Sequence, residues 1–232
     1  MRPVPSALAA SLVLATLGSG CSPDAAQQPP EAARAWPEGT VLAVEDLPIS
    51  AAEVDQASVW IERIERKATA DHLRRLALTN IVLPAKVARL LAPEAREQAL
   101  AEARAALEQL RSGRWVGPPG PEGQLGQRVE GDFRLLGIPV WGTATDLEPG
   151  AWSEPIELPG SFVLVRRLEL LPADVPLAIE LAVDQLTFPY LPPESAAGEV
   201  EAAYDRLRLV IVDPAWRPLV PELLQYRMGV HG

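Results

Sequence analysis

Cysteine, histidine and lysine are nearly missing from this chain. Its 232 residues include one cysteine, Cys21, and two histidines, His72 and His231. A single thiol excludes a disulfide framework within one chain. So few Cys and His leave no cluster for a zinc ion and no Cys–His dyad for nucleophilic catalysis. Lysine occurs only as Lys67 and Lys86, so the cations are arginines almost throughout, a compositional bias rather than chemistry. Lys and Arg number 21 against 31 Asp and Glu, a net charge of −10. A chain this acidic has no general attraction for nucleic acid. No glycine-rich phosphate loop precedes a helix, and no G-x-S-x-G elbow occurs. No cofactor is called for. What is present is a globular composition, 48% hydrophobic and 22% charged, with room for one or two domains.

The chain opens MRPVPSALAASLVLATLGSGC. Arg2 supplies a minimal positive start. Ala7 to Leu17 is apolar and has the length of a signal-peptide hydrophobic region, but falls short of the ~20 residues that span a bilayer. Gly18, Ser19 and Gly20 lead to Cys21. The pattern resembles a bacterial lipoprotein signal, which implies removal of residues 1–20 and lipidation of Cys21. Leu17 stands four residues before the cysteine rather than the usual three. A plain secretory signal with an incidental cysteine is the other reading. The lipoprotein resemblance implies the bacterial cell envelope, lipid-anchored and periplasm-facing. Ser22 rather than Asp at the next position favours the outer membrane over the inner. More than one acyl chain would anchor stably where a single chain is marginal. Residues 21–39, rich in Pro, Ala and Gln, cannot bury a core and read as a semi-extended tether. No later run reaches 18 apolar residues.

Beyond the tether, Val41 to Val44 reads as a short strand and Glu45-Asp46 as a turn. Ser50 with Glu53 three residues on is a capping box for a helix carrying Val54, Val59, Trp60, Ile61 and Ile64. A second helix starts near Thr69 or Asp71, with Pro84 expected to kink or divide it. A third runs from Pro93 to Ser112 and stops at Gly113. Residues 113–132 are Gly- and Pro-rich and read as loop. Phe133 to Val140 reads as a strand. Trp152 to Leu158 and Ser161 to Leu171 read as a β-hairpin about Pro159-Gly160. Leu177 to Tyr190 reads as a further strand, Glu194 to Ile211 as a helix, and the tail as a short helix broken by proline. Trp115, Trp152 and Trp216 lie near Gly or Pro and are expected to be partly exposed.

Two stretches resemble periplasmic foldases of the SurA and PrsA type, with their parvulin-type peptidyl-prolyl isomerase domains. VLAVEDLPISAAEVD followed by HLRRLALTNIVLPAKVARLL is similar to the N-terminal foldase pattern. LEPGAWSEPI, from Leu147 to Ile156, is similar to the parvulin turn before a hairpin and a final strand ending in basic residues. The implied fold is α+β: a helical foldase-like part over 40–112, then a divergent parvulin-like small antiparallel sheet with helices over 113–232. The departures are substantial. The family's two histidines are absent, with Val163 at the last-strand position and no first strand before the helix at Pro93. A permuted order would place the strand Ala182–Phe188 in the missing first position, with Gln185 where a histidine belongs.

The resemblance implies a peptidyl-prolyl isomerase-like foldase or chaperone that binds unfolded or extended, proline-containing client segments, with isomerase activity weak or lost. No catalytic residue is assigned. Phe133, Trp141, Phe162, Gln185 and Phe188 are the candidate peptide groove; a core position is the commoner role for each aromatic. Asp132, Asp146, Glu148 and Glu154 cluster in sequence, but paired carboxylates for glycoside chemistry would need a sugar platform that the neighbouring residues do not offer. His72 and His231 read as exposed bystanders. The alternative function is a non-catalytic envelope scaffold lipoprotein that holds one partner complex. Clients, partner and oligomeric state are not specified by the sequence. Cys21→Ser is expected to release the protein from the membrane fraction; unchanged fractionation would count against lipidation.

Overall fold

The computed structural model describes residues 35–115, 126–171 and 179–230. The leader, Cys21 and most of the tether lie outside the described residues, as do His231 and the segment 116–125. Strand β1 (Thr40–Val44) is buried along its whole length. Glu45, at a φ of +49°, and Asp46 turn the chain into β2 (Leu47–Ser50), which pairs antiparallel with β1. The Pro48-Ile49 pair, read from sequence as a lead-in, is therefore strand. Pro48 is tolerated because β2 is an edge in the order β2-β1-β7, where a missing N–H can face away from the ladder.

The capping box forms as expected. The Ser50 hydroxyl accepts from the Glu53 N–H at 3.2 Å, and the Glu53 carboxylate accepts from the Ser50 N–H at 2.9 Å. It starts α1 (Ala51–Glu62), which buries Val54, Ala57 and Ile61. Thr69 caps α2 (Ala70–Ala77). Pro84 cannot donate to the carbonyl four residues back. The chain meets this with a π-helical turn over Leu78–Val82, closed by the Leu83 N–H on the Leu78 carbonyl, and continues as α3 (Leu83–Leu91). After a bend of 110° between Leu91 and Pro93 comes α4 (Pro93–Arg111).

The next stretch differs from the sequence expectation in two ways. Gln127–Gly131 is not loop but strand β3, recruited by backbone pairing with a strand far along the chain. Phe133 to Val140 is not a strand. Asp132 caps a short helix α5 (Phe133–Leu136), its carboxylate accepting from the Arg134 N–H at 2.9 Å. Gly137, at a φ of +80°, then reverses the chain, and Pro139 lies in the first turn of α6 (Ile138–Asp146). Gly137 and Pro139, which weaken a strand, here serve as helix punctuation.

The hairpin forms from β4 (Ile156–Leu158) and β5 (Ser161–Leu171) about Pro159-Gly160. Its first arm is shorter than expected, with Trp152 making only an isolated bridge to Arg166. Strand β6 (Glu180–Pro189) completes a sheet in the order β3-β6-β5-β4. Strand β6 thus lies between the hairpin and a preceding strand, although that strand is 127–131 rather than 133–140. Side chains alternate across this sheet. Val163, Val165, Leu181 and Val183 pack under α5 and α6 with Leu136, Val140, Trp141 and Ala144. Leu164 packs on the other face, under Ala106, Leu107 and Leu110 of α4.

The expected long helix over 194–211 is interrupted. Helix α7 covers only Ala196–Ala203, and Leu209–Ile211 is strand β7, paired with β1 through Leu42↔Ile211 and Val44↔Leu209. The β-branched run Val210-Ile211-Val212 suits a strand once β1 offers an open edge. A 3₁₀ turn (Pro214–Leu219) and α8 (Glu222–Arg227) follow. Trp152 and Trp216, expected at a partly exposed rim, are both only 8% exposed. Among the described residues the fold is α+β, with eight helices and two small antiparallel sheets. Residues from 40–112 and from 113–232 share its largest core, where Leu42, Val54 and Val87 meet Val200, Leu209 and Met228. Leu209→Ala should therefore cost about 2–5 kcal/mol in urea unfolding, as a fully buried leucine does. A loss below about 0.5 kcal/mol, the surface norm, would mean the C-terminal strand is merely appended.

Candidate binding cleft

The groove expected from sequence does not assemble as one surface. Phe133 and Trp141 stack edge to face, with centroids 5.9 Å apart, and belong to the α5–α6 side of the sheet. The buried Trp141 ring donates through Nε1 to the Ile179 carbonyl at 2.8 Å. Phe162 and Phe188 are cross-strand neighbours. Phe162 joins the largest core beside Tyr190, whose ring is 5.8 Å away, and Phe188 packs against that core and the α4 side. Successive strand residues point to opposite faces, so the odd-numbered Val163 and Val165 take the α6 side and the even-numbered Phe162 and Leu164 the other. Gln185 lies opposite Val165, half-buried, and its amide reaches Thr187 Oγ1 at 3.4 Å. Val163, at the position of the missing last-strand histidine, is fully buried.

The other residues weighed for chemistry are also separate. Asp132 engages Arg134, Asp146 engages Arg63, and Glu154 engages Arg111. Each of these carboxylates has its own arginine. His72 is exposed near the start of α2. No group of three or more His, Cys, Asp or Glu side chains is placed to hold a metal among the described residues.

A different site emerges between the helical layer and the hairpin. A cleft of about 370 Å³ runs between α1 and α3 on one side and α6 and β4 on the other. Ala57, Trp60, Ile81, Pro139, Pro155 and Ile156 give it an apolar lining. Trp60 can lie against α6 because residue 142 is glycine; a Cβ there would overlap the indole ring. Helix α1 thus sets the ring and α6 supplies the flat backbone beneath it.

Two charge clusters close the cleft. Lys86, only 6% exposed, donates to the Pro48 carbonyl at 2.8 Å and pairs with Glu53 Oε1 at 2.7 Å. The same carboxylate caps α1 through its other oxygen. The buried ammonium is thus neutralised and hydrogen-bonded, as burial demands. In the second cluster, Glu157 on β4 receives Arg89 from α3 and Arg96 from α4. Arg89 donates through Nε at 2.8 Å and Nη2 at 2.6 Å, and Arg96 through Nε at 2.7 Å and Nη2 at 2.9 Å. Both carboxylate oxygens accept twice. Arg96 also lies over the Phe162 ring, 5.2 Å from its centroid.

No family model, curated protein or solved structure matches the chain. The cleft's own geometry therefore carries the reading. It has an aromatic floor, an apolar lining and charges held in fixed pairs, the make-up of a binding site rather than of a nucleophilic centre. Sequence reasoning missed Trp60, Lys86, Arg89, Arg96 and Glu157. Two signals were available: Lys86 is one of two lysines in an arginine-rich chain, and Glu157 is an acid flanked by apolar strand residues.

Burial alone would raise the Glu157 carboxyl, but the hydrogen bonds and charges of Arg96 and Arg89 hold it below its ordinary value of 4.5. Burial also acts upward on Glu53, and Lys86 with the Ser50 cap outweighs it in the same way. In mild acid the unfolded chain therefore binds more protons than the folded one. Their contribution is complete above the ordinary value and lost as pH falls through the lower folded values. Stability read from urea midpoints should hold down to about pH 5 and fall below it, and Glu157→Gln should flatten the fall. An equally steep fall in the variant would refute this source of acid sensitivity.

Proposed function

We propose that this chain is a lipid-anchored protein of the bacterial cell envelope that binds extended segments of client polypeptides, as a foldase-type chaperone without a competent prolyl-isomerase centre. The observation that carries the reading is the cleft between the helical layer and the hairpin, with Trp60 as its floor. Aromatic and apolar lining with a few convergent polar groups suits a side chain from an extended polypeptide.

Two further features support it. Strand β6 lies between β5 and β3, a central placement that a permuted first strand would take. Strand β7 pairs with β1, and residues 36–232 form one unit in which the cleft lies between α1 and α3 on one side and α6 and β4 on the other. Weak or absent isomerase activity follows from the side chains. Prolyl isomerisation has a barrier of ~18–20 kcal/mol, lowered by holding a twisted amide in an oriented pocket. Here Val163 is sealed under α6, Gln185 reaches only Thr187, and His72 is the one imidazole among the described residues.

The test pairs two assays on the soluble chain lacking residues 1–21. A permanently unfolded, reduced and carboxymethylated protein should bind in fluorescence anisotropy, and a proline-containing tetrapeptide should isomerise at its uncatalysed rate. Gln56→Trp, which obstructs the cleft from an exposed position, should weaken binding at least tenfold while leaving the urea midpoint unchanged. Absence of binding, or binding that ignores Gln56→Trp, would overturn the cleft as the client site.

A further inference from the structure

The cleft lining itself holds Glu53, Glu154 and Glu157 against Lys86 and Arg89, while Arg96 and Arg111 reach these acids from outside it. What narrows the binding is therefore how the charges are paired: Lys86 is matched by Glu53 and Glu154 by Arg111. Glu157 alone is shared by two guanidinium groups, those of Arg89 and Arg96. The three leave one unit of positive charge. Arg89 lines the cleft. Its Nε and Nη2 are committed to Glu157, while Nη1 donates to no acceptor among the described residues. Helices α3 and α4 carry the two arginines, and Glu157 fixes both in place. The remaining donors are therefore oriented before any ligand arrives.

Resting on the client-binding reading above, we infer that the cleft selects extended segments in which an Asp or Glu side chain lies next to a large apolar residue, the carboxylate meeting Arg89 and the apolar group lying on Trp60. Charge complementarity is the argument. An arginine with free donors beside an apolar floor favours a carboxylate in a partly desolvated setting, where charge-assisted hydrogen bonds are strong. The net charge of the chain works in the opposite direction. At −10 it gives no long-range attraction for an acidic peptide. A preference for acid must therefore arise locally, from the surplus around Glu157.

The test uses three extended peptides, acetylated and amidated so that their ends carry no charge. They share an aromatic residue and differ only in the next position, which is Glu, Gln or Lys. Fluorescence anisotropy at low salt should show the Glu peptide binding about tenfold tighter than the Gln peptide, with the Lys peptide weakest. Arg89→Gln balances Glu157 against Arg96 alone and should remove the Glu-over-Gln preference. Glu157→Gln leaves both arginines unmatched and should increase it. A merely structural role would weaken all peptides in both variants and could not move the preference in opposite directions. Equal binding of the Glu and Gln peptides would overturn the acid selection while leaving client binding intact. Binding of none of the three would overturn both, and tighter binding of the Lys peptide would overturn the charge assignment.

Discussion

Both ends of the described chain meet on one buried strand. Strand β1 lies between β2, its neighbour in sequence, and β7, which arrives from the far end. Leu42, Ala43 and Val44 are wholly buried, so their backbone groups have no recourse to water. The far-end segment satisfies one side of them. The Val212 and Asp213 N–H groups donate to the Val41 carbonyl at 3.1 and 3.0 Å, and the Glu45 N–H donates to the Arg208 carbonyl at 2.9 Å. The Glu45 carboxylate in turn accepts from the Arg208 N–H at 2.6 Å. The Leu209 N–H donates to the Met228 carbonyl at 3.0 Å, which ties the last helix to the same place. A strand that must be paired on both sides thereby ties the far end of the chain to its beginning.

The cleft follows from that closure. It lies between layers rather than within the sheet, so its lining comes from segments 53–60, 81–89, 139–143 and 154–157. Two contacts set its shape. Trp60 against the bare backbone of Gly142 fixes the approach of α1 to α6. The Glu157 carboxylate, with an arginine from each of two helices, fixes α3 and α4 to the edge strand β4. Four hydrogen bonds replace the water that a half-buried carboxylate gives up. The four-stranded sheet contributes rigidity. Its faces are filled by α4 on one side and α5 with α6 on the other, which leaves no room for a groove of aromatic residues across it. The pair of half-buried Arg166 and buried Asp184 joins its two central strands, with the guanidinium group over the Trp152 ring.

Local signals read well where the physics is local. The Ser50–Glu53 box, the proline-induced break near Pro84, the helix opening at Pro93 and the Pro159-Gly160 hairpin are each written in a few adjacent residues. Phe133 to Val140 was misleading because its apolar residues suit a strand and a helix equally. The cap at Asp132 and the reversal at Gly137 decide for helix. Leu207 and Val210 continue the helical spacing of α7, yet pairing with β1 takes the following residues into a strand. The site was the least legible part. Trp60 reads as one more apolar residue on a helix, and nothing near Glu157 in sequence announces arginines at 89 and 96.

The sequence by itself determined the composition class, the starts of the first helices and the hairpin, since capping, turn chemistry and hydrophobic spacing act over three to five residues. Tertiary structure alone decided that Gln127–Gly131 and Leu209–Ile211 are strands. It also decided that the expected aromatics divide between opposite faces and that one carboxylate gathers two arginines. These depend on hydrogen bonds and ion pairs between residues far apart in the chain. Such partners become neighbours only after the layers have packed.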